Sequence, residues 1–416
     1  LANHKLIELL KGFVSALGKN DATAYLVMLS ARLLEMYRIM KPSASLYLHC
    51  DPTMSHYIKI ILDMIFGNLC YRNEIIWNRA RGFKRSSAKK FPTKHDVIFL
   101  YTKSENDFVF NPQYRPHKPQ YVKRFKKDEN GRLFRDDVNP TGGGRRIIYL
   151  DEVKGDLVES TWYDIPPLNS VAKERLGYPT QKPLELLERI IGASSNEGDI
   201  VFDPFCGCGT TVDAAQQLNR RWIGIDITHL AITLIKYRLS ERYGERIRNE
   251  YEVLGEPVDV ESAKALAEID RMSFQIWACG LIGAKPREKK GADKGIDGDL
   301  YFYEDGKNFS EALVQVKSGH VKSGDIRDLK GTIHREEVPI GIFITLEPPT
   351  RDMLQEAASA GFYENSFTGS KYPAIQIYTI EELLGGKRLN VPLTKPYHKQ
   401  STPLNKSDKE RQNKLF

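Results

Sequence analysis

A glycine-rich turn between an apolar strand and a helix constrains the fold of this chain more than any other feature. The turn is segment 203–211 (DPFCGCGTT), which follows the apolar residues 200–202 and precedes a helical pattern that ends at Leu218. Glycines let the backbone turn tightly against a ligand, and the first turn of a helix offers unpaired amide groups. The next strand ends at Asp226, about 20 residues on, where a carboxylate can meet the ribose of an adenosine-containing cofactor. A lone turn of this kind usually only connects two elements, but the paired Asp226 favours a cofactor site.

Strands and helices alternate on both sides of this turn. The predicted strands are 45–48, 74–77, 96–101, 200–202 and 222–225. The predicted helices are 25–40, 57–66, 183–191, 211–218 and 229–243. Such alternation predicts an α/β fold with a mostly parallel sheet that is covered on both faces. Residues 104–170 interrupt the pattern with proline, glycine, asparagine and charge, which indicates an irregular insertion.

The amino-acid composition limits the cellular environment and the kinds of partner that the chain can have. Five cysteines are few and odd in number, which argues against a disulfide framework and favours a reducing, cytoplasmic environment. No long apolar run or secretory leader indicates a membrane or export. The formal charge of +7 fits a polyanionic partner, although most chains with this balance are simply basic. The pair Cys206 and Cys208 has no second cysteine pair near it, so we discount zinc.

Two motifs together make the chain recognisable. Segment 203–211 resembles the S-adenosylmethionine-binding motif of the DNA N4-cytosine/N6-adenine methyltransferases, and segment 178–184 (YPTQKPL) resembles the motif that caps the methionine end of the cofactor in that family. Both follow the insertion, an order similar to the permuted class in which the catalytic motif comes first. The likeness covers about residues 1–245. The resemblance implies a Rossmann-like S-adenosylmethionine-dependent methyltransferase sheet with an inserted target-recognition region. It assigns to the cofactor site Asp203, Phe205, Gly207, Gly209, Thr210, Asp226, Lys182 and Pro183. Thr180 and Gln181 could equally form a helix cap.

The family's catalytic tetrapeptide, Asp/Asn/Ser-Pro-Pro-aromatic, does not occur in the sequence. The family's reaction is attack by an exocyclic amino nitrogen of a flipped base on the methyl group, and this tetrapeptide holds that amino group. The closest short match, Asp51-Pro52-Thr53, lacks the second proline and the aromatic residue and reads as a helix entry. The motif order places the tetrapeptide before Leu1, so we expect an N-terminally truncated chain. We expect it to bind the cofactor poorly and to methylate little.

A basic segment between two predicted strands is a candidate DNA contact. It holds Arg79, Arg81, Lys84, Arg85, Lys89 and Lys90, with no acidic residue. Such a loop can contact phosphates, and a solvated charged loop is the equally weighted alternative. Beside a methyltransferase core we favour double-stranded DNA as the partner, with residues 104–170 as the target-recognition region. The sequence defines neither the target site nor the oligomeric state.

Residues 272–395 predict a second α/β domain. Segment 291–298 (GADKGIDG) precedes one strand and segment 313–317 (LVQVK) forms the next, which resembles the restriction-endonuclease-like core. Alternation along a strand places Gln315 and Lys317 on one face. By the resemblance Asp297 would hold Mg²⁺ and Lys317 would stabilise the transition state of a phosphodiester cut. The glutamate that often completes the site is replaced by Gln275, which weakens metal binding. The alternative is a structural role, with Asp297 in a turn and Lys317 in a salt bridge.

These predictions give a domain layout and a set of functions. The predicted parts are the first part of the methyltransferase core (1–103), the insertion (104–170), the cofactor-binding part (171–245), a connector (246–271), the endonuclease-like domain (272–395) and a disordered tail (396–416). The leading hypothesis is a site-specific DNA methyltransferase of a restriction–modification system, with adenine N6 favoured over cytosine N4. The alternatives are a DNA-binding protein, or a Mg²⁺-dependent nuclease, whose methyltransferase part is inactive.

Overall fold

The computed structural model describes residues 2–79, 91–138, 142, 144–169, 172, 174–178, 180–287, 295–304, 308–366 and 368–395. The basic residues Arg81, Lys84, Arg85, Lys89 and Lys90, and the predicted disordered tail, lie outside this set. The described residues fall in two compact units. The first unit comprises Leu1–Leu168, Lys182–Val201 and Ala214–Trp222, and the second comprises Asn169–Gln181, Phe202–Asp213 and Ile223–Phe416. The glycine-rich turn therefore belongs to the same compact unit as the C-terminal region.

The first unit begins with two helices and a sheet. Its first elements are α1 (Ala2–Leu17), α2 (Asp21–Ile39), β1 (Ser45–Cys50), α3 (Ser55–Phe66), β2 (Tyr71–Asn78) and β3 (His95–Thr102). Asn20 starts α2 because its side chain accepts a hydrogen bond from the amide of Thr23, 3.0 Å away, in a capping box. Gly67 ends α3 with a positive φ of 85°. The predicted elements of this region are confirmed.

The pairing of these strands corrects one prediction. The sheet order is β1-β3-β2, and β3 runs antiparallel to both neighbours, whereas the sequence predicted a mostly parallel sheet. The sequence could not show this, because an apolar strand has the same side-chain period in parallel and antiparallel pairs. The α3 crossover still makes β1 and β2 parallel to each other, with β3 between them.

Both faces of this sheet are covered, as predicted. Residues 97, 99 and 101 of β3 pack with α2 and α3 in one core, which contains the fully buried Leu26, Ile58 and Leu62. Ile98 points to the other face and packs with Trp77, Ile165 and Leu186 in a second core. This alternation along β3 is the period of two that a strand imposes on its side chains.

The insertion contains short strands and one short helix rather than only irregular chain. Its elements are β4 (Tyr114–Arg115), α4 (Pro119–Val122), β5 (Lys126–Lys127), β6 (Leu133–Val138), β7 (Arg145–Tyr149), β8 (Asp156–Leu157) and β9 (Thr161–Trp162). Strands β5, β6 and β7 form a small sheet, β4 pairs with β8, and β9 adds a parallel strand next to β2. The guanidinium of Arg135 in β6 lies over the rings of Tyr121 and Phe125, which also contact each other. The pairs are two to five residues long, too short for a periodic pattern to reveal.

The cofactor-motif region follows the predicted order. Its elements are α5 (Leu184–Ser194), β10 (Ile200–Asp203), α6 (Thr210–Gln217), β11 (Arg221–Gly224) and α7 (His229–Tyr243). Strands β10 and β11 pair with each other, and the amides of Arg221 and Ile225 donate to the carbonyls of Asp199 and Asp203, 2.9 Å away in each case. From one bond to the next, both the donor and the acceptor lie four residues further along the chain, so the two strands are parallel.

The C-terminal region has a six-stranded mixed sheet between helices. Its elements are α8 (Val260–Ile269), α9 (Arg271–Leu281), β12 (Lys285–Pro286), β13 (Gly298–Tyr303), β14 (Phe309–Lys317), α10 (Ser323–Arg335), β15 (Ile340–Thr345), α11 (Arg351–Ala358), β16 (Phe362–Glu364), β17 (Lys371–Pro373), β18 (Ile375–Thr379), α12 (Ile380–Leu384) and β19 (Thr394–Lys395). The sheet order is β12-β13-β14-β15-β18, and β19 pairs with β13. Strands β14, β15 and β18 are parallel, and β13 is antiparallel to β14.

The predicted connector contains one of these helices. Helix α8 begins at the capping-box residue Asp259, and its Ala263 and Ala267 are buried in the same core as Phe274 and Trp277. The charged composition of residues 246–271 concealed this helix, because its apolar face consists mainly of alanines. The second face of the sheet is covered by α10 and α11, through buried residues such as Ile326 and Met353.

None of the helices within the described ranges is long and apolar enough to cross a membrane.

Candidate functional site

The turn between β10 and α6 is held by two carboxylates. Asp203, at the end of β10, accepts hydrogen bonds from the amide of Phe205 at 3.0 Å and from the hydroxyl of Thr211 at 2.6 Å. Asp226, after β11, accepts a hydrogen bond from the amide of Gly207 at 2.9 Å with one carboxylate oxygen. Its other oxygen accepts from the amide and the hydroxyl of Thr228, each at 2.9 Å. Each carboxylate thus fixes the backbone of the turn while keeping some capacity to accept a further hydrogen bond.

Glycine is required at two positions of the turn. Gly207 has a φ of 50°, and a Cβ atom there would lie 3.0 Å from the ring of Tyr178. Gly209 has a φ of 74°, and a Cβ atom there would lie 2.5 Å from a side-chain carbon of Ile235 in α7. Residues other than glycine rarely adopt either of these positive φ values, because a Cβ atom makes them unfavourable. The turn is therefore packed between the Tyr178 ring and α7, and its backbone lies too close to both for a larger residue.

Apolar side chains are exposed beside the two carboxylates. Phe205 is 51% exposed, and Ile227, directly after Asp226, is 96% exposed. Both side chains therefore expose apolar surface beside the two carboxylates. Adenosine has a flat base and a ribose with hydroxyl groups. The Phe205 ring can pack on the base and the Asp226 carboxylate can accept from the hydroxyls, so these residues fit S-adenosylmethionine. The sequence prediction included Phe205 but missed Ile227, because an isoleucine after a strand carries no signal of its own.

The two cysteines of the turn are buried thiols. Burial raises the pKa of Cys206 to about 12 and also raises the pKa of Cys208. Both are therefore neutral near pH 7 and behave as small apolar side chains rather than as metal ligands, which are thiolates.

The residues of the second cofactor motif divide between the two compact units. Gln181 lies in the unit of the turn, where its amide oxygen accepts from the amide of Leu176 at 2.7 Å and its amide nitrogen donates to the carbonyl of Glu174 at 2.6 Å. It does not cap α5, since the residue before that helix is Pro183 and no side chain caps it. The helix-cap alternative for Gln181 is therefore wrong, and its side chain instead fixes the loop before the motif.

Lys182 lies in the first unit with a polar cluster at one end of the sheet. The ring of His49 in β1 is hydrogen-bonded to Asp96 of β3 at 2.9 Å, and the guanidinium of Arg79 lies 3.0 Å from the other oxygen of Asp96. Burial lowers the pKa of His49, and the charge of Lys182 lowers it further. Burial acts to raise the pKa of Asp96, but the hydrogen bond from His49 and the nearby cations of Arg79 and Lys182 lower it overall. Sequence reasoning found Arg79 and Lys182 but missed the His49–Asp96 pair that anchors Arg79.

Asp51 performs the structural role that the sequence predicted. Its carboxylate accepts from the amides of Thr53 at 2.7 Å and Met54 at 3.2 Å, which fixes the entry to α3. The hydrogen bond from the Thr53 hydroxyl is the main reason that the pKa of Asp51 is lowered. This aspartate is therefore a helix-entry residue and no substitute for the missing tetrapeptide.

A cavity of about 760 Å³ brings together the predicted nuclease residues. Asp297, Gln315 and Lys317 line it together with Arg271 and other residues of α9 and of the loop after β14. One oxygen of Asp297 accepts from the amide of Val316 at 2.8 Å. The ammonium of Lys317 lies 3.8 Å from Asp325, as in the salt-bridged alternative.

The prediction of Mg²⁺ at this cavity is not supported. Among the residues that the structure describes, no three histidine, cysteine, aspartate or glutamate side chains are placed to hold a metal ion. The reason is chemical: amides stand at Gln275 and Gln315, and Mg²⁺ sites in proteins depend on carboxylates.

Comparison with known proteins defines the class of the molecule. The DNA methylase model of the N6/N4 methyltransferases matches residues 11–237, and the model described as NACHT-associated inactive Restriction Endonuclease 1 matches residues 282–385. The chain therefore belongs to the N6/N4 DNA methylase family, and its C-terminal region is similar to an endonuclease-like family whose description calls it inactive.

Several of the similar proteins are described as Type II methyltransferases. The chain is 28% identical over 261 residues to the Type II methyltransferase M.EcaI of Enterobacter cloacae, covering 52% of this chain and 58% of that protein. It is 32% identical over 209 residues to the Type II methyltransferase M.HpaI of Haemophilus parainfluenzae, covering 50% and 57%. The chain thus spans somewhat more than half the length of these relatives. Among solved structures, the complex of M1.HpyAVI with SAM overlaps 56% of this chain and 95% of that one, at 21% identity and a TM-score of 0.36.

Proposed function

We propose that this protein is a site-specific DNA methyltransferase that uses S-adenosylmethionine as the methyl donor, within a restriction–modification system. The observation that carries the proposal is the turn itself: Asp226 and Asp203 hold a glycine backbone in place beside the exposed Phe205 and Ile227. The cofactor, when bound, supplies an electrophilic methyl group to the reaction. The family and its Type II relatives support DNA as the substrate.

Each residue of the turn has a role in this proposal. The carboxylate of Asp226 accepts hydrogen bonds from the ribose hydroxyls, and Phe205 and Ile227 cover the adenine ring. Asp203, Gly207, Gly209 and Thr210 shape the backbone around the remainder of the cofactor. Lys182 and Pro183 belong to the motif that caps its methionine end, as in the family that the sequence resembles. Preorganisation of this kind lowers the cost of ordering the site when the ligand binds.

The target is an exocyclic amino group of a base that leaves the duplex. We favour adenine N6 over cytosine N4. DNA contact is assigned to the basic segment that begins at Arg79 and continues with Arg81, Lys84, Arg85, Lys89 and Lys90, and the insertion 104–170 would read the target sequence. Arg79 supports this assignment, since its side chain is half exposed and anchored by Asp96 at the root of the segment.

Incubation of the chain with duplex DNA and S-adenosylmethionine carrying a labelled methyl group tests the proposal. The DNA is digested to nucleosides, and N6-methyladenine and N4-methylcytosine are separated and quantified. Labelled N6-methyladenine supports the proposal, and labelled N4-methylcytosine would replace adenine by cytosine. The Asp226→Asn variant is the control: at a cofactor concentration near the wild-type dissociation constant it should incorporate less label than the wild type, and equal incorporation would mean that methyl transfer does not depend on the proposed site. If wild-type chain neither incorporates label nor binds the cofactor, the proposal is overturned.

A further inference from the structure

Helix α7 carries the cofactor turn on one side. Ile235 lies so close to Gly209 that a Cβ atom on the glycine would be 2.5 Å away. Leu234 packs with Cys208 of the turn, and both side chains are 2% exposed. The guanidinium of Arg238 lies 3.6 Å from the sulfur of Cys208. Three residues of α7 thus contact two successive positions of the turn, Cys208 and Gly209.

The C-terminal region contacts the same helix and the same cluster. A Cβ atom on Gly280 of α9 would lie 2.6 Å from the hydroxyl of Thr233, so α9 and α7 approach to backbone distance there. Tyr301 of β13 packs against the cluster of Cys208 and Leu234. Burial raises the pKa of Tyr301 to about 12, so its hydroxyl is neutral near pH 7.

A buried polar network fixes α7 to the helix that follows the turn. Asp213 of α6 accepts from the hydroxyl of Tyr243 at 2.8 Å and from Arg242 at 2.9 Å, and Arg238 lies 3.5 Å away. Displacement of α7 would break the contacts that Asp213 makes with Arg238, Arg242 and Tyr243 of this helix. The turn, α7, α9 and β13 lie in one compact unit, and the start of α6, through Asp213, belongs to the same unit.

We infer that the endonuclease-like region supports the cofactor turn, with Tyr301 and Gly280 as positioning residues for cofactor binding. The inference rests on the proposed function, since the ligand is S-adenosylmethionine or its product S-adenosylhomocysteine. A side chain that holds Cys208 and Leu234 in place keeps the amide of Gly207 and the backbone of Gly209 in the binding geometry. Because coupling between two sites is reciprocal, cofactor binding must in turn stabilise α9 and β13.

Calorimetric titration of the full chain with S-adenosylhomocysteine measures the first half of this coupling. We expect Tyr301→Ala and Gly280→Val to raise the dissociation constant about tenfold, within the usual range for coupled sites. Tyr301→Phe keeps the ring and should bind like the wild type. The matched control is Tyr303→Ala, since Tyr303 is on the same strand but its ring packs on Phe309, at 4.7 Å between centroids.

Hydrogen exchange of the wild-type chain measures the reverse effect, the stabilisation of α9 and β13 by the bound cofactor, and needs no substitution. We expect slower exchange of the amides of α9 and β13 when S-adenosylhomocysteine is added. If the wild type binds the ligand, while exchange in these elements and the affinities of Tyr301→Ala and Gly280→Val stay unchanged, the inference is wrong and the proposed function stands. If the wild type does not bind the ligand at millimolar concentration, the proposed function fails and this inference fails with it.

Discussion

The carboxylate of Asp226 accepts a hydrogen bond from the backbone amide of Gly207, 2.9 Å away, and so joins the end of one strand to the turn after its neighbour. The turn is thereby shaped before any ligand arrives. This hydrogen bond explains why the glycine-rich turn and Asp226, which is 19 residues beyond Gly207, form one site.

Asp226→Asn tests this relationship. Asparagine keeps the size of the side chain but loses its charge, and a hydrogen bond to a charged group contributes about 1.5–3 kcal/mol. We expect the affinity for S-adenosylhomocysteine to fall about tenfold to a hundredfold, since each 1.4 kcal/mol is a factor of ten. Calorimetry measures the change. The control is Asp259→Asn at the start of α8, where asparagine caps equally well and affinity should not change.

Gly207→Ala tests the close packing of the turn. Alanine at a φ of 50° costs about 1–2 kcal/mol of stability, and its methyl group would press on the ring of Tyr178. We expect cofactor affinity to fall as well as thermal stability. Gly255→Ala is the matched control, because Gly255 has a φ of 84° and open space around its Cβ position. If both variants bind the cofactor equally well, the contact with Tyr178 does not shape the site.

Much of the fold could be predicted because its elements carry long patterns. The amphipathic helix α2 and the apolar strand β3 each repeat their period several times, although the predicted helix began at residue 25 and missed the cap at Asn20. The direction of β3 could not be predicted, since a period of two is the same for parallel and antiparallel pairing. Helix α8 was missed because its buried face is built from alanines such as Ala263, which also occur on exposed helix surfaces.

The candidate site divides in the same way. Gly207 and Asp226 could be predicted because their spacing in sequence follows from one strand–helix–strand unit. The His49–Asp96 pair and the Tyr301 contact could not, since they join residues 47 and about a hundred positions apart through tertiary packing alone.

Asp213→Asn tests the buried network under the turn. The Asp213 side chain is almost fully buried between Arg238 and Arg242, and removal of one member of a buried charge pair typically costs about 3–5 kcal/mol. We expect the free energy of unfolding, from urea titration, to fall by about 3 kcal/mol. Arg242→Ala should cost less, since that side chain is 39% exposed and water can replace its contact. Equal losses for the two variants would contradict the central role of Asp213.

The His49–Asp96 pair predicts a pH dependence of stability. Burial lowers the pKa of His49 in the folded chain, so the unfolded chain binds more protons as the pH falls through about 6.5. Stability must therefore be higher at pH 7.5 than at pH 5.5. His49→Gln keeps a donor for Asp96 but does not titrate, so its stability should fall less over the same range. Burial lowers the pKa of His229 too, and this histidine remains in both proteins, so the difference between them isolates His49. An unchanged pH dependence in the variant would show that His49 is not the group responsible.

The basic segment predicts salt-dependent DNA binding. Replacement of Lys89 and Lys90 by alanine removes two cations, and the slope of the logarithm of the binding constant against the logarithm of salt concentration should fall by about 2. Fluorescence anisotropy with a labelled duplex measures the slope at several salt concentrations. The control replaces Lys371 and Lys387 of the C-terminal region, which pair with Glu364 and Glu382. The same slope in all three proteins would place DNA contact elsewhere.

The most direct test of the account is a calorimetric titration of the wild-type chain and Asp226→Asn with S-adenosylmethionine. We predict one binding site per wild-type chain, even if the affinity is weak, and a loss of affinity of about tenfold or more in the variant. Equal affinity in the two proteins would mean that the cofactor binds away from the glycine-rich turn. No binding by the wild type up to millimolar concentration would contradict the assignment of this turn as a cofactor site.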